Sequence, residues 1–584
     1  MANAQPSGAR VQSDHDEKIV QDTLVEFTEI QTYRYVFGSH WEEVSELIDP
    51  TQRNTFQFGN YNWPGQKKTD RQVDATGMMA LARFGAICDS LLTPSNSFWH
   101  GLRAQDDYVM KDRATRLWYE QAAKRLFQYR YAPEANFISQ NQAKYRSIGA
   151  YGNTGVFVDE LDPAVSGKKG LRYKTVPLGE LFFRCNHQGA VDGFIRWMRM
   201  TARQIKQKWP DTFPEVLQAS LDAKSEMLHD VLHRVCLRED YDQGRLDIKG
   251  KRFMSAYVCM KSKTLLQEGG YRTFPMDVLR YDVAPGESYG RSPAMDVLPA
   301  LKTLNAEKRT FLKQGHRASD PVLLTADDGL LSPDLTPGAT NAGGMSPDGK
   351  PLIGILPTGN IQISKEMMDE ERSLINDAFL VSLFQILTET PTMSATEVIE
   401  RTNEKGILLA PTVGRLRPDA MIDRELDIML YNGWMPPMPP RLREAMRSGN
   451  VIHTTVHTSP LAKAMRAQEA AGFFRTLEGV KEMVAVTQDH SMLDRFDFDT
   501  AVPAIADIQS VPESWMADDK QIAAKRKQRA DAAQRQEMIQ AAPAAAALAK
   551  ARAMGGSQQG QGGGGSMAAP AQAPAQPGAP LSQA

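Results

Sequence analysis

The 584-residue chain has 42% hydrophobic and 24% charged side chains and a formal net charge of −2. At roughly 100 to 200 residues per domain this length holds about three or four structural units, and the composition excludes a wholly disordered or fibrous protein. The near-neutral charge argues against tight binding of nucleic acid through clustered Lys and Arg; no run of about 18 apolar residues offers a membrane span, and the opening MANAQPSGARVQSDHDEK lacks the apolar stretch of a secretory signal.

Residues 1–20 are expected to be flexible. From Asp74 to Leu92, Met78, Leu81, Cys88, Leu91 and Leu92 recur at helical spacing and stop before Thr93 and Pro94. Further helices are expected over Arg113–Tyr129 and Glu134–Tyr151, the second closed by Gly152. The pattern then changes to short segments rich in β-branched and aromatic residues, VFVDEL, LRYKTVPL, LFFRC and FIRWMRM, separated by Gly and Pro, which read as strands. Helices over Ala202–Trp209 and Lys224–His233 and strands at CLRED, FMSAYVCM and DVLRYDV complete a mixed α+β unit.

Ser292 suits a helix cap and Pro293 the first helical position, so a long helix should run to about His316, kinked near its start by Pro299. Residues 317–363 are dense in Gly, Pro, Asp and Thr, with strands expected at PVLLT and PLIGILP. A second long helix should span Ser364–Leu387, roughly 36 Å at 1.5 Å per residue. Pro391 forces TETPTMSA, Thr388–Ala395, to loop. A helix capped by Ser394 with Glu397 then runs towards Gly433, interrupted at Pro411 and Pro418, and the chain stays mostly helical to about Gln540. The Ala, Gly, Pro and Gln of residues 541–584 have too little large apolar surface to order themselves.

Several motifs imitate chemistry. Cys88, Cys185, Cys236 and Cys259 form no closely spaced zinc or redox pair and are expected as reduced thiols. Gly344–Lys350 has the spacing of a phosphate-cradling loop, but Pro351 stands where a magnesium-binding hydroxyl is needed. Gly286–Gly290 matches the G-x-S-x-G nucleophile elbow around Ser288, yet the helix signal begins only at Pro293, too far from the serine. His229 and His233 sit four apart on one helical face, with Cys236 three further on, a spacing that could hold zinc, but Asp230 stands where a metalloprotease needs Glu. His453 and His457 lie in a strand-like VIHTTVHT. No catalytic, cofactor or metal cluster is expected; a Ser288 hydrolase and a monomeric helical scaffold are the competing readings.

The two long helices are charged in opposite senses. The first carries Lys302, Lys308, Arg309 and Lys313; the second carries Glu366, Asp369, Glu370, Glu371 and Asp377. The opposite faces could pair within one subunit, the hairpin packing inside its own chain, or between neighbours; because such a hairpin alone would leave its apolar stripe partly bare, packing against copies of itself is expected, with these charges facing a channel or a neighbour.

The stretches ALARFGAICDSLLTPSNSFWHGL, ESYGRSP and TPTMSATEVIERTNEKGILLAPTVGRLRPD resemble the head-to-tail connector, or portal, family of short-tailed phages. The similarity covers about residues 20 to 515. It implies an α+β portal fold: wing 21–290, first stem helix 291–316, clip 317–363, second stem helix 364–387, tunnel loop 388–395, kinked wing helix 396–435 and helical crown or barrel 436–540. Thr388, Glu389, Thr390, Pro391, Thr392, Met393 and Ser394 of the tunnel loop would then approach DNA. The resemblance further implies a ring of twelve subunits at one capsid vertex of the virion, assembled in the host cytoplasm. Double-stranded DNA would pass non-specifically through it during packaging and ejection. The major capsid protein, scaffolding protein, terminase and tail adaptors would be its partners.

Overall fold

The computed structural model describes residues 13–56, 65–163, 167–325, 334, 336–342, 344–357, 361–382, 414–449, 453–488, 490–509, 511–518, 520–536 and 550. By compactness the chain divides into Met1–Glu513 and Ser514–Ala584, and in the second part residues 520–536 are helical. Ser13 starts the first helix, α1 (Asp14–Leu47): its hydroxyl accepts from the Asp16 amide and the Asp16 carboxylate accepts from the Ser13 amide, a reciprocal cap. This 34-residue helix is absent from the sequence reading. Its buried residues recur with helical spacing but are interspersed with polar ones, including Arg34, which donates to the carbonyls of Leu178 and Gly179.

Helices α2 (Thr76–Leu92), α3 (Arg113–Arg130) and α4 (Phe137–Tyr151) lie where the periodicity put them. Gly152 closes α4 at φ 70, and an added Cβ there would sit 2.5 Å from the Arg291 carbonyl oxygen. After the short strand β1 (His100–Ala104), the strands β2 (Asn153–Glu160), β3 (Leu171–Val176), β4 (Leu181–Cys185) and β5 (Val191–Thr201) follow, then α5 (Ala202–Lys208).

The expected helix at Lys224–His233 is instead part of a strand, β6 (Leu228–Leu237). His229, Val231, His233 and Val235 alternate along one face while Leu232 and Cys236 fill the other, so both faces of the strand are covered, and the apolar Leu228, Val231, Leu232 and Val235 fall at the spacing of a helix. Of the strand expected at CLRED, only Cys236 and Leu237 belong to β6; Arg238 to Asp240 leave it in a turn. Next come β7 (Phe253–Cys259), β8 (Thr264–Tyr271), missed because of its Gly269–Gly270, and β9 (Met276–Arg280). They build two antiparallel sheets, β3-β2-β9 and β4-β5-β6-β7-β8.

The long helix after Ser292 is in two parts, a turn at Pro293–Asp296 and α6 (Leu298–Ser319). Pro299 falls in the first turn of α6, where its missing N–H is not needed, so the break lies at Val297 and not at the proline. β10 (Leu323–Thr325) and β11 (Ile353–Ile355) pair in the insertion. The second long helix, α7, spans Ile361–Ala378 and stops there because Leu380 adopts φ 58; at roughly 27 Å it is shorter than expected. Beyond it lie α8 (Asp419–Tyr431), α9 (Pro440–Arg447), β12 (His453–His457), α10 (Pro460–Thr487) and α11 (Phe498–Ile508). β12 pairs with β1 across about 350 residues of sequence. No helix among the described residues is long and apolar enough to cross a membrane.

Two large cores result. One joins α1, α2 and α4 to the sheets and to the base of α6 and α7, and includes Trp41, Phe84, Tyr289, Leu301, Ile375 and Phe379. The other joins α3, β2 and β3 to α8 and α9 through Trp118, Leu126, Tyr173, Ile422 and Leu442.

Candidate functional site

The paired helices α6 and α7 carry the charges singled out in the sequence. α6 leaves the body with Leu298, Ala300, Leu301 and Leu304 buried; α7 returns with Met368 and Ile375 buried, and Phe379 meets the ring of Phe84 edge-on at 6.1 Å. Their junction is tight: a Cβ at Gly77 of α2 would approach Leu301 Cδ2 to 2.7 Å. The segment before α2 clamps both helices. The Arg71 carbonyl accepts from Arg309 at 2.7 Å, the Val73 amide donates to Asn305 at 2.8 Å, and Asp74 pairs with Arg372 at 2.9 Å.

Farther out, the apolar stripe is bare. Leu312, Ile363, Met367 and Leu374 are each at least 44% exposed, and so are Val322, Leu324 and Ile355 in the insertion. Burial, and then the facing Glu371, raise the Glu307 pKa, and each carboxylate has an Oε2 shut away from solvent without a hydrogen bond. None of the ion pairs among the described residues joins the bases of α6 to the acids of α7. Lys302 instead reaches Glu43 of α1 at 2.6 Å, and Asp369 pairs with Arg372 on its own helix. Lys308 lies 5.6 Å from the Phe311 ring centre. Lys313, Glu366 and Glu370 are exposed, and Glu371 is half-buried. Thr388, Glu389, Thr390, Pro391, Thr392, Met393 and Ser394 lie outside the described residues.

The decoys resolve as structure. Ser288 bonds through its backbone, its amide donating to Tyr33 and its carbonyl accepting from Arg280, while the adjacent Tyr289 is buried against Phe183 and Trp41. Gly344–Lys350 is a turn in which the Ser346 amide donates to the Lys350 carbonyl and Met345 bridges to Pro351. On strand β6, His229 and His233 stand four residues apart, roughly 13 Å along the chain, and Cys236 faces the other side, which removes the zinc geometry. His233 instead bonds Ser255 at 2.9 Å and stacks on Tyr257. All four cysteines are free thiols.

Sequence reasoning missed a buried charge network. Glu425 of α8 takes a bidentate grip from Arg130 of α3 and accepts from the Tyr173 hydroxyl at 2.7 Å. The guanidinium lies 4.5 Å from the Trp99 ring centre. Nearby, Lys144 and Asp277 are both buried; burial pushes the Asp277 carboxyl up to about 6 and the Lys144 amine down, each opposed by the other's charge. No local signal marks these residues, because 295 positions separate Arg130 from Glu425.

A family model for the bacteriophage head to tail connecting protein matches residues 21–516. The chain belongs to this family. The connector is a structural protein of the virion that joins head to tail. It is 26% identical over 539 residues to the portal protein of Salmonella phage epsilon15, covering 89% of the connector and 93% of that protein. It is 25% identical over 529 residues to the probable portal protein of Bordetella phage BPP-1, covering 88% and 91%. Among solved structures, a chain of the virion of the native gene transfer agent particle is similar at 11% identity, with 69% of the connector and 85% of that chain covered and a TM-score of 0.33. A chain of the neck of the native particle computed with C12 symmetry gives 12%, 68%, 85% and 0.32.

Proposed function

We propose that the connector is one subunit of a portal ring of twelve that conducts double-stranded DNA during packaging and ejection. The observation that carries this reading is the family match, which runs from α1 through the helix pair to the end of α11. The half-bare stripe of α6 and α7 supports it, since a subunit that leaves Leu312, Met367 and Leu374 in water gains by packing against a copy of itself. In this reading residues 21–290 are the wing, 291–316 and 364–387 the stem, 317–363 the clip, 388–395 the tunnel loop, 396–435 a kinked wing helix and 436–540 the crown. The clip and wing would dock terminase, tail adaptors, scaffolding protein and the major capsid protein.

A near-neutral subunit suits a conduit, because many fixed lysines would hold DNA by its phosphates and resist movement. TETPTMSA has no Lys or Arg and would touch the duplex through hydroxyls. Thr392→Lys should therefore slow packaging, and an unchanged rate would remove the loop from contact with DNA. We assign the connector no catalytic residue; the ATP hydrolysis that drives packaging belongs to another protein.

Native mass spectrometry with negative-stain imaging tests the ring. A species near twelve times 64.9 kDa with a central hole is expected. A protein that stays monomeric even with its scaffold present would sink the reading.

A further inference from the structure

β1 and β12 pair only with each other among the described residues, in antiparallel register from His100 opposite His457 to Ala104 opposite His453. The ladder runs straight into α10. The Thr458 amide donates to the Trp99 carbonyl at 2.9 Å, the Thr458 hydroxyl donates to the Phe98 carbonyl at 3.0 Å, and Ser459 caps α10 on the Ala462 amide. These five strand residues and the two that follow thus form the seam between the body and the start of α10.

Three imidazoles sit in this short seam, and two of them have no place for a second proton. His100 is buried, edge-on to Trp99, with both ring nitrogens unpartnered; the Arg130 cation of α3 and His457 of β12 face it. His453 shares one hydrogen bond, Nδ1 to the Tyr119 hydroxyl of α3 at 2.9 Å, and its Nε2 is buried without a partner. His457 differs, because its Nε2 lies 2.8 Å from Asp419 of α8, near Asp423 on the same helix. A proton on His100 or His453 becomes a buried cation with no acceptor.

We propose that the β1–β12 ladder is a proton-operated clasp: protonation of His100 and His453 on acidification opens the strand pairing and frees the start of α10 from the body. Burial lowers the pKa of both residues, and for His100 the Arg130 charge lowers it further. The closed ladder therefore holds them neutral, while the opened strands let them titrate near the ordinary value of about 6.5. The open state binds more protons below that pH, so pairing is fully stable above about 6.5 and weakens as the pH falls. Each imidazole that must stay neutral costs about tenfold per pH unit. The clasp rests on geometry within one chain and holds whether or not the connector forms a ring.

Hydrogen–deuterium exchange on the full-length protein at pH 7.5 and 5.5, corrected for intrinsic exchange, reads the clasp directly. Residues 100–104 and 453–457 are expected to lose roughly 100-fold protection at the lower pH while β2 and β3, which carry no histidine, keep theirs, and His100→Phe and His453→Phe should each recover about tenfold of it. Should His100→Phe not fold, His453→Phe alone decides the matter. Equal protection at the two pH values, or a loss undiminished by His453→Phe, would overturn the proposal.

Discussion

The body and the helix pair solve the problem of charge in opposite ways. In the body, Arg130, Glu425, Lys144 and Asp277 are withdrawn from water and must find partners within the same chain. On α6 and α7, Lys302, Lys313, Glu366 and Glu370 stay in solvent, and apolar Met367 and Leu374 are exposed beside them. The body holds these charges inside, whereas the outer half of the helix pair keeps charges and apolar stripe alike in water. Breaking a contact in the first region should cost folding; breaking one in the second should cost assembly.

The largest effect is expected at the buried pair. Glu425→Gln leaves the Arg130 cation between Trp99 and Phe137 without a counter-charge, and about 3 to 5 kcal/mol of stability should be lost in urea denaturation. A loss below 1 kcal/mol would mean that water reaches the guanidinium. Two neighbours on α7 sharpen the contrast. Ile375 is fully buried and Leu374 is 54% exposed. Ile375→Ala should cost about 2 to 5 kcal/mol in thermal melts of the monomer. Leu374→Ala should stay within about 0.5 kcal/mol there, while reducing the yield of rings. Equal melting shifts would contradict the division between the two regions.

The same division explains what could be read without coordinates. α2, α3 and α4 were legible because one face of each is apolar and their ends carry breakers such as Pro94 and Gly152. β6 was not, since both of its faces are covered and its apolar Leu228, Val231, Leu232 and Val235 recur at helical spacing in place of a strand's alternation. α7 ends at Ala378, earlier than expected, because the positive φ that closes it falls on Leu380 and not on a glycine that the sequence would display; residues 383–387 of the expected helix lie outside the described residues. On the helix pair, residue type alone gave the opposite charges, but not that Lys302 turns to Glu43 on α1. The Arg130–Glu425 network was invisible for the same reason, as tertiary pairing across hundreds of residues has no local period.

Asp277 gives the body a pH signature. Its carboxyl is raised to about 6 from an ordinary 3.8, so the folded state holds the proton more tightly than the unfolded one. That contribution is fully present below about pH 4 and is lost as the pH rises through 6, on the order of 3 kcal/mol in all. Urea midpoints at pH 4.5 and 7.5 should therefore differ between wild type and Asp277→Asn, with the wild type losing more on the way up. Parallel pH profiles would show that another group carries the titration. The helix pair, whose carboxylates are mostly in solvent, should contribute little to this difference.

The smallest effect on folding, and the most discriminating one, lies at Lys302. Its ion pair with Glu43 is more than half exposed on both sides, and such pairs contribute at most about 1 kcal/mol, so Lys302→Glu should barely move the monomer's melting temperature. Its effect on ring yield distinguishes two causes. If the lysine acts only by tying α6 to α1, adding Glu43→Lys rebuilds the pair with its charges exchanged and restores the yield. If the basic edge of α6 meets the acidic edge of α7 on a neighbouring subunit, Glu43→Lys does nothing for assembly, whereas Glu366→Lys with Asp369→Lys in the Lys302→Glu background brings the rings back. Rescue by the distant acids, seen in native mass spectra at unchanged monomer stability, would place the interface on these two edges, because no ion pair among the described residues joins them within one chain.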